Sequence, residues 1–186
     1  MARRLEVEVK VPLDCNELPR IEKRLRSLGA HTEGPVVEED IYMLHPCRDV
    51  VARDEAIRLR ITAKGARLAY KGPRRGGGSA KSRVEIEVDV DPAIIDVLEA
   101  LGFREGLRVV KRRIYATLPQ ALVTMDRVEE LGCFVEVESI HGDEAEVNDA
   151  LRLLGLDDRP RITESYASML ARQRRLPYSE GYESQG

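Results

Sequence analysis

Hydrophobic and charged residues alternate with a period of two in segment after segment of this chain. From Leu5 to Val11, the apolar Leu5, Val7, Val9 and Val11 fall on one side and Glu6, Glu8 and Lys10 on the other, which predicts a strand with one aliphatic and one charged face. Seven further strands are predicted at Glu38 to Leu44, Ala56 to Thr62, Arg67 to Lys71, Ser82 to Val90, Val109 to Leu118, Leu122 to Val128 and Cys133 to Ile140. Three segments have a helical period instead. Leu18, Ile21, Leu25 and Leu28 follow Asp14 or Asn16 as cap and stop at Gly29, while Ile94, Ile95, Leu98 and Leu101 follow Asp91 and Pro92 and stop at Gly102. Val147, Leu151 and Leu154 follow Asp143, which pairs with Glu146 as a capping box, and stop at Gly155. A last helix capped at Thr163 runs to Gln173, with Tyr166, Met169 and Leu170 on its apolar face.

The stretches Glu6 to Leu28 and Glu85 to Leu101 each run Glu-x-Glu, acidic cap, amphipathic helix and Leu-Gly, which suggests an internal duplication. Two such halves close naturally into one eight-stranded antiparallel barrel, an α+β fold with the helices packed outside. The expected organisation is a single domain over 1–176 and a flexible tail over 177–186, which is polar and aperiodic. The basic, glycine-rich connection from Gly72 to Lys81 reads either as a lid or as a solvated hairpin loop.

The charged faces carry the chemistry. Glu6, Glu8 and Lys10; Arg58 and Arg60; Glu85 and Glu87; Lys111 and Arg113; and Glu136 and Glu138 each sit at i and i+2, opposite aliphatic residues. On one strand this is an ordinary solvated face. In a barrel whose helices pack on the aliphatic side, the charges point inward, about 7 Å apart along each strand. A dry lumen of that kind is costly, because each ion loses several kcal/mol of hydration, so the lumen is expected to hold water and ligands. Its arginines and lysines suit a compact polyanion, and its carboxylates suit a hard divalent cation.

Composition narrows this further. The 186 residues hold 30 Lys plus Arg and 33 Asp plus Glu, for a formal charge of −3, which argues against general nucleic-acid binding. No run of about 18 apolar residues suggests a membrane span, and no apolar leader is visible, so a cytoplasmic location is expected. Cys15, Cys47 and Cys133 are odd in number and far apart, and they are expected to pack as ordinary side chains rather than to form a disulfide framework or a zinc site. His31, His45 and His141 fall in predicted loops or element ends, outside any triad or ligand spacing.

The sequence resembles the CYTH superfamily, also called triphosphate tunnel metalloenzymes, and within it most closely the class IV adenylyl cyclases. The resemblance begins with the Glu-x-Glu-x-Lys motif at Glu6-Val7-Glu8-Val9-Lys10. It continues in order through Asp40-Ile41-Tyr42, Arg58-Leu59-Arg60, Tyr70-Lys71-Gly72-Pro73, Ser82-Arg83-Val84-Glu85-Ile86-Glu87, Lys111-Arg112-Arg113, Asp126, Phe134-Val135-Glu136-Val137-Glu138 and Ser165-Tyr166. It implies a tunnel that cyclises or hydrolyses triphosphates with Mg²⁺ or Mn²⁺. It further implies that Glu6, Glu8 and Glu138 hold metal, and that Arg58, Arg60, Lys71, Arg83, Lys111 and Arg113 bind phosphate, Arg83 reaching either phosphate or solvent. Asp126 and Glu136 are expected beside the metals or the attacking group. Lys10 contacts phosphate, tunes a nucleophile or orients Glu8, and Glu85 and Glu87 position basic side chains or help hold a second metal. ATP or another triphosphate is the implied partner, and relatives suggest a homodimer. The alternatives to a cyclase are a triphosphatase and a non-catalytic nucleotide or polyphosphate-binding module. The absence of Trp weighs against a ring-stacking thiamine triphosphatase.

Overall fold

The computed structural model describes residues 2–74 and 81–176. Residues 75–80, the middle of the basic connection, and the tail at 177–186 lie outside the described residues. The eight strands are β1 (Ala2–Leu13), β2 (His31–Leu44), β3 (Ala56–Thr62), β4 (Gly65–Lys71), β5 (Lys81–Val90), β6 (Arg104–Thr117), β7 (Ala121–Val128) and β8 (Gly132–Ser139). They close into one antiparallel barrel in the order β1-β5-β4-β3-β2-β6-β7-β8. Exchanging each of the first four strands with the one four later maps this cyclic order onto its own reverse, as the suspected duplication requires. Closure runs through β1, whose Ala2–Glu8 half pairs with β5 and whose Glu8–Leu13 half pairs with β8.

Among the described residues there are four helices: α1 (Leu18–Ser27), α2 (Ile94–Ala100), α3 (Glu144–Leu154) and α4 (Tyr166–Gln173). The first three take the outside positions that patterning predicts. Helices α1 and α3 bury Ile21, Leu25, Val147 and Leu151 against the outward Val7, Val9, Val11, Val123, Met125, Val135 and Val137, and α2 covers Ile41, Leu59 and Ala66. Helix α4 departs from the expected arrangement. Its Tyr166, Ala167, Leu170 and Ala171 pack on Tyr42, Leu107, Val109, Val128 and Phe134, which by strand alternation face inward. It therefore plugs one end of the barrel, because the last inward position of several strands at that end is apolar rather than charged.

The helix starts differ in detail. Helix α1 begins after Glu17 rather than after Asp14 or Asn16, and α4 is capped by Ser165, which accepts from Ser168 N, rather than by Thr163. Asp143 caps α3 as expected, but Glu146 reaches back to Ser139 and His141 instead of completing the box. Cys15 and Cys133 form a disulfide across 118 residues, correcting the expectation of ordinary packing. Leu13 pairs with Cys133 in the β1/β8 ladder, and this pairing brings the two cysteines together. Cys47 is free and exposed.

Candidate functional site

The inward positions of all eight strands build one polar lumen. Residues Glu6, Glu8, Lys10, Arg58, Arg60, Lys71, Arg83, Glu85, Glu87, Lys111, Arg113, Glu136 and Glu138 line a cavity of about 130 Å³. Asp126 is wholly buried behind this lining, where its carboxylate takes a bidentate pair from Arg113 at 2.7 and 2.5 Å and a hydrogen bond from the Tyr166 hydroxyl at 2.8 Å. The three histidines stand apart: His31 opens β2 at the barrel mouth, His45 packs on Phe103, and His141 bonds Glu146.

The lumen has an acidic corner. Glu6 and Glu8 on β1 and Glu138 on β8 each offer a carboxylate oxygen within 4.8 Å of the others, and the register places Glu8 directly opposite Glu138. Three hard oxygen donors on two hydrogen-bonded strands match the donor preference of Mg²⁺ or Mn²⁺, which bind oxygen at about 2.1 Å and keep positions for water or phosphate. Glu6 is also held by Lys71 at 2.7 Å and Arg83 at 3.1 Å, so the corner is joined to the basic wall rather than separate from it.

Each base of that wall rests on an acid. Arg60 makes a bidentate pair with Asp40 at 2.6 and 2.9 Å. Lys111 lies 2.5 Å from Asp40 and 3.1 Å from Glu38. Arg58 reaches Glu87 at 3.1 Å and Glu85 at 3.4 Å, and Lys71 meets Glu85 at 3.0 Å. Lys10 bonds Glu136 at 2.8 Å and the Glu164 carbonyl at 3.2 Å, and lies 4.2 Å over the Tyr166 ring. Glu136 in turn holds Arg113.

These contacts set the protonation states. Burial pushes the Asp40 and Glu38 carboxyls up, but Arg60 and Lys111, with Arg58 near Asp40 and Arg113 near Glu38, hold both below the ordinary carboxylate range, Asp40 by a wide margin. Glu136 is likewise held ionised against its burial, by Lys10 and Arg113. Burial lowers Lys10, yet Glu136 and Glu8 outweigh it and raise the group; in Lys111, burial and the neighbouring Arg60 win and lower it. Among the described residues, nine carboxylates (Glu6, Glu8, Glu38, Asp40, Glu85, Glu87, Asp126, Glu136 and Glu138) meet six buried bases and the partly buried Arg60, and Arg67, half exposed at the mouth, adds an eighth. The carboxylates thus outnumber the bases by one, and a divalent cation at the acidic corner would more than offset that difference.

Two of those acids carry no site role in the sequence reading, Glu38 appearing only as the start of a strand and Asp40 only within the Asp40-Ile41-Tyr42 motif, although Glu38, Asp40 and Tyr42 alternate at i and i+2. Opposite the plugged end, the lumen opens into a wider mouth of about 520 Å³, where Val36, Val90 and Leu122 stand beside Thr62, Arg67 and Tyr115.

Comparison with known proteins agrees with this geometry. A Methanocaldococcus jannaschii protein provisionally named an adenylate cyclase is 32% identical over 174 residues, 89% of this chain and 98% of its own. The PH1819 protein of Pyrococcus horikoshii has a similar structure, with a TM-score of 0.74 and 31% identity over 91% of this chain and 99% of that one. A Hippeastrum protein, provisionally named an adenylyl cyclase and described as having a dominant triphosphatase activity, shares the fold with a TM-score of 0.59 and 16% identity over 95% and 99% of the two chains. The CYTH domain model matches residues 4–166, which include every strand residue that lines the lumen, and the chain belongs to the CYTH family.

Proposed function

We propose that this chain is a divalent-metal-dependent enzyme acting on a triphosphate, and that its reaction is the cyclisation of ATP to cyclic AMP and pyrophosphate. The observation that carries the reading is the opposition, inside one closed wall, of the Glu6/Glu8/Glu138 corner to the Arg and Lys set. A metal-bound triphosphate presents both signs at once. Magnesium or manganese, when bound, supplies positive charge at phosphoryl oxygens and lowers the barrier to displacement there. Glu6, Glu8 and Glu138 hold it.

Arg58, Arg60, Lys71, Arg83, Lys111 and Arg113 bind the phosphate oxygens. Their carboxylate partners keep them in place before substrate arrives, so little reorganisation is spent when charge develops. Glu85 and Glu87 position Arg58 and Lys71, and Asp126 positions Arg113. Glu136, held ionised, aligns Lys10 and Arg113 at the plugged end. In the cyclisation, the ribose 3′-oxygen bonds the α-phosphorus, the α–β bridging bond breaks to release pyrophosphate, and the hydroxyl proton passes to solvent. The half-apolar mouth of about 520 Å³ supports a substrate with an organic group over a bare triphosphate.

Hydrolysis is the second reading, and one feature favours it. A triphosphate whose organic end stays in the mouth sends its terminal phosphoryl group toward Lys10 and Glu136, where water rather than ribose is the available nucleophile. The test incubates the protein with Mg²⁺ or Mn²⁺ and either ATP or inorganic triphosphate, and separates cyclic AMP, ADP, pyrophosphate and orthophosphate. Cyclic AMP with pyrophosphate supports cyclisation, and orthophosphate without cyclic AMP supports hydrolysis. No product with either metal while ATP still binds would make the barrel a binding module.

A further inference from the structure

Thr124 lies on β7 and faces the lumen. Its residue is 4% exposed, and its hydroxyl has no hydrogen-bond partner among the described residues. That is unusual, because buried hydroxyls are nearly always satisfied and an unmade bond costs stability. Its cross-strand neighbours are turned to other partners. Across the β7/β8 ladder Thr124 faces Glu136, whose two oxygens are taken by Lys10 and Arg113. Across β6 it faces Tyr115, whose hydroxyl donates to Glu38.

The register also sets what passes over it. Two residues before Thr124, Leu122 pairs with Glu138 of the acidic corner; two residues after it, Asp126 pairs with Arg113 of the basic wall. On the inward face, then, Thr124 has Glu138 as a diagonal neighbour on one side and Arg113 on the other. A phosphoryl group reaching from the acidic corner toward the Arg113 guanidinium would pass over this hydroxyl. We propose that the Thr124 hydroxyl donates a hydrogen bond to a phosphoryl oxygen of the bound triphosphate and is a substrate-binding residue of the site. The proposal rests on the triphosphate reading above, and its ligand is the phosphate chain rather than the base or sugar.

The test compares Thr124→Val, which keeps the shape and removes the hydroxyl, with Thr124→Ser, which keeps the hydroxyl. Three quantities are read: the melting temperature without ligand, turnover of ATP and inorganic triphosphate, and calorimetric binding of inorganic triphosphate with Mg²⁺. The expected result is a Thr124→Val protein at least as thermostable as the parent, with kcat/KM lowered about tenfold to a hundredfold, the size typical of hydrogen bonds to charged groups. Thr124→Ser should stay within about threefold of the parent on the same scale. A Thr124→Val protein with parental turnover and triphosphate affinity overturns the proposal, as does a loss that Thr124→Ser shares. If the parent binds triphosphate but turns over nothing, the enzyme reading fails, and Thr124 is then judged on affinity alone. If the parent binds no triphosphate, both readings are overturned.

Discussion

Asp40 offers a direct test of how the lumen is held together. Its carboxylate is almost fully buried, accepts both bonds of the Arg60 fork and lies 2.5 Å from the Lys111 ammonium. Asp40→Asn keeps the volume and removes the charge, leaving two buried cations with less compensation. Removing one partner of a buried ion pair costs about 3–5 kcal/mol. Glu38 remains 3.2 Å from Arg60 and 3.1 Å from Lys111, so the lower end of that range applies, about 3 kcal/mol. For a chain of this size each kcal/mol moves the melting temperature by about 2–4 °C, which gives a fall of roughly 6–12 °C. The assay is a thermal melt followed by circular dichroism, with and without inorganic triphosphate and Mg²⁺. The ligand should raise the melting temperature of the variant more than that of the parent, because its phosphates restore anionic partners to Arg60 and Lys111. A variant that melts within about 2 °C of the parent, or gains nothing extra from triphosphate, would refute the claim that Asp40 balances the basic wall.

Two other properties follow from the same contacts. The Cys15–Cys133 disulfide closes a long loop, with 118 residues of separation, so Cys15→Ser with Cys133→Ser should cost about 2–4 kcal/mol while leaving metal-dependent turnover unchanged. Melting curves with and without reductant read this, and equal curves would remove the disulfide from the account. Asp40, Glu38 and Glu136 all have folded-state pKa values below the usual carboxylate value, so the stability they contribute is fully present above about pH 4–4.5 and lost as pH falls below it. Lys10, raised in the folded state, adds stability that is present below about pH 10 and lost above it. The melting temperature should therefore fall steeply between about pH 4 and pH 2.5; a flat profile there would contradict the pairing scheme.

Much of this architecture can be read from the chain because strand alternation is a local signal. All eight expected strands are present, although β6 begins at Arg104 rather than Val109, and the inward Glu, Arg and Lys positions follow once the helices are assigned to the aliphatic side. Tertiary pairing is what the pattern does not carry. Strand β2 begins seven residues before the predicted Glu38 because Gly34 and Pro35 interrupt the alternation with a register shift between Glu33 and Val36. The fold still uses them as strand: Gly34 has φ +117°, and a Cβ there would sit 2.8 Å from the Arg113 carbonyl oxygen. The amphipathic face of α4 shows that the helix must be covered, but its period does not distinguish the outside of a barrel from its end. The disulfide is invisible for the same reason, since the β1/β8 ladder alone brings Cys15 to Cys133. The roles of Glu38 and Asp40 depend on register, which places Asp40 opposite Arg60 and which alternation alone does not set. Thr124 carries no motif at all, and only its burial and the engagement of its neighbours single it out.

The central claim is that the carboxylate corner and the basic wall act together on a metal-bound triphosphate. The most direct measurement is the affinity of inorganic triphosphate as a function of Mn²⁺ concentration, by calorimetry, for the parent and for Glu138→Gln. Mn²⁺ should tighten triphosphate binding to the parent by at least about tenfold, a coupling of about 1.4 kcal/mol, and Glu138→Gln should abolish most of this gain while metal-free binding stays the same or improves. Triphosphate affinity that is independent of Mn²⁺, or a metal effect that survives Glu138→Gln unchanged, would contradict it.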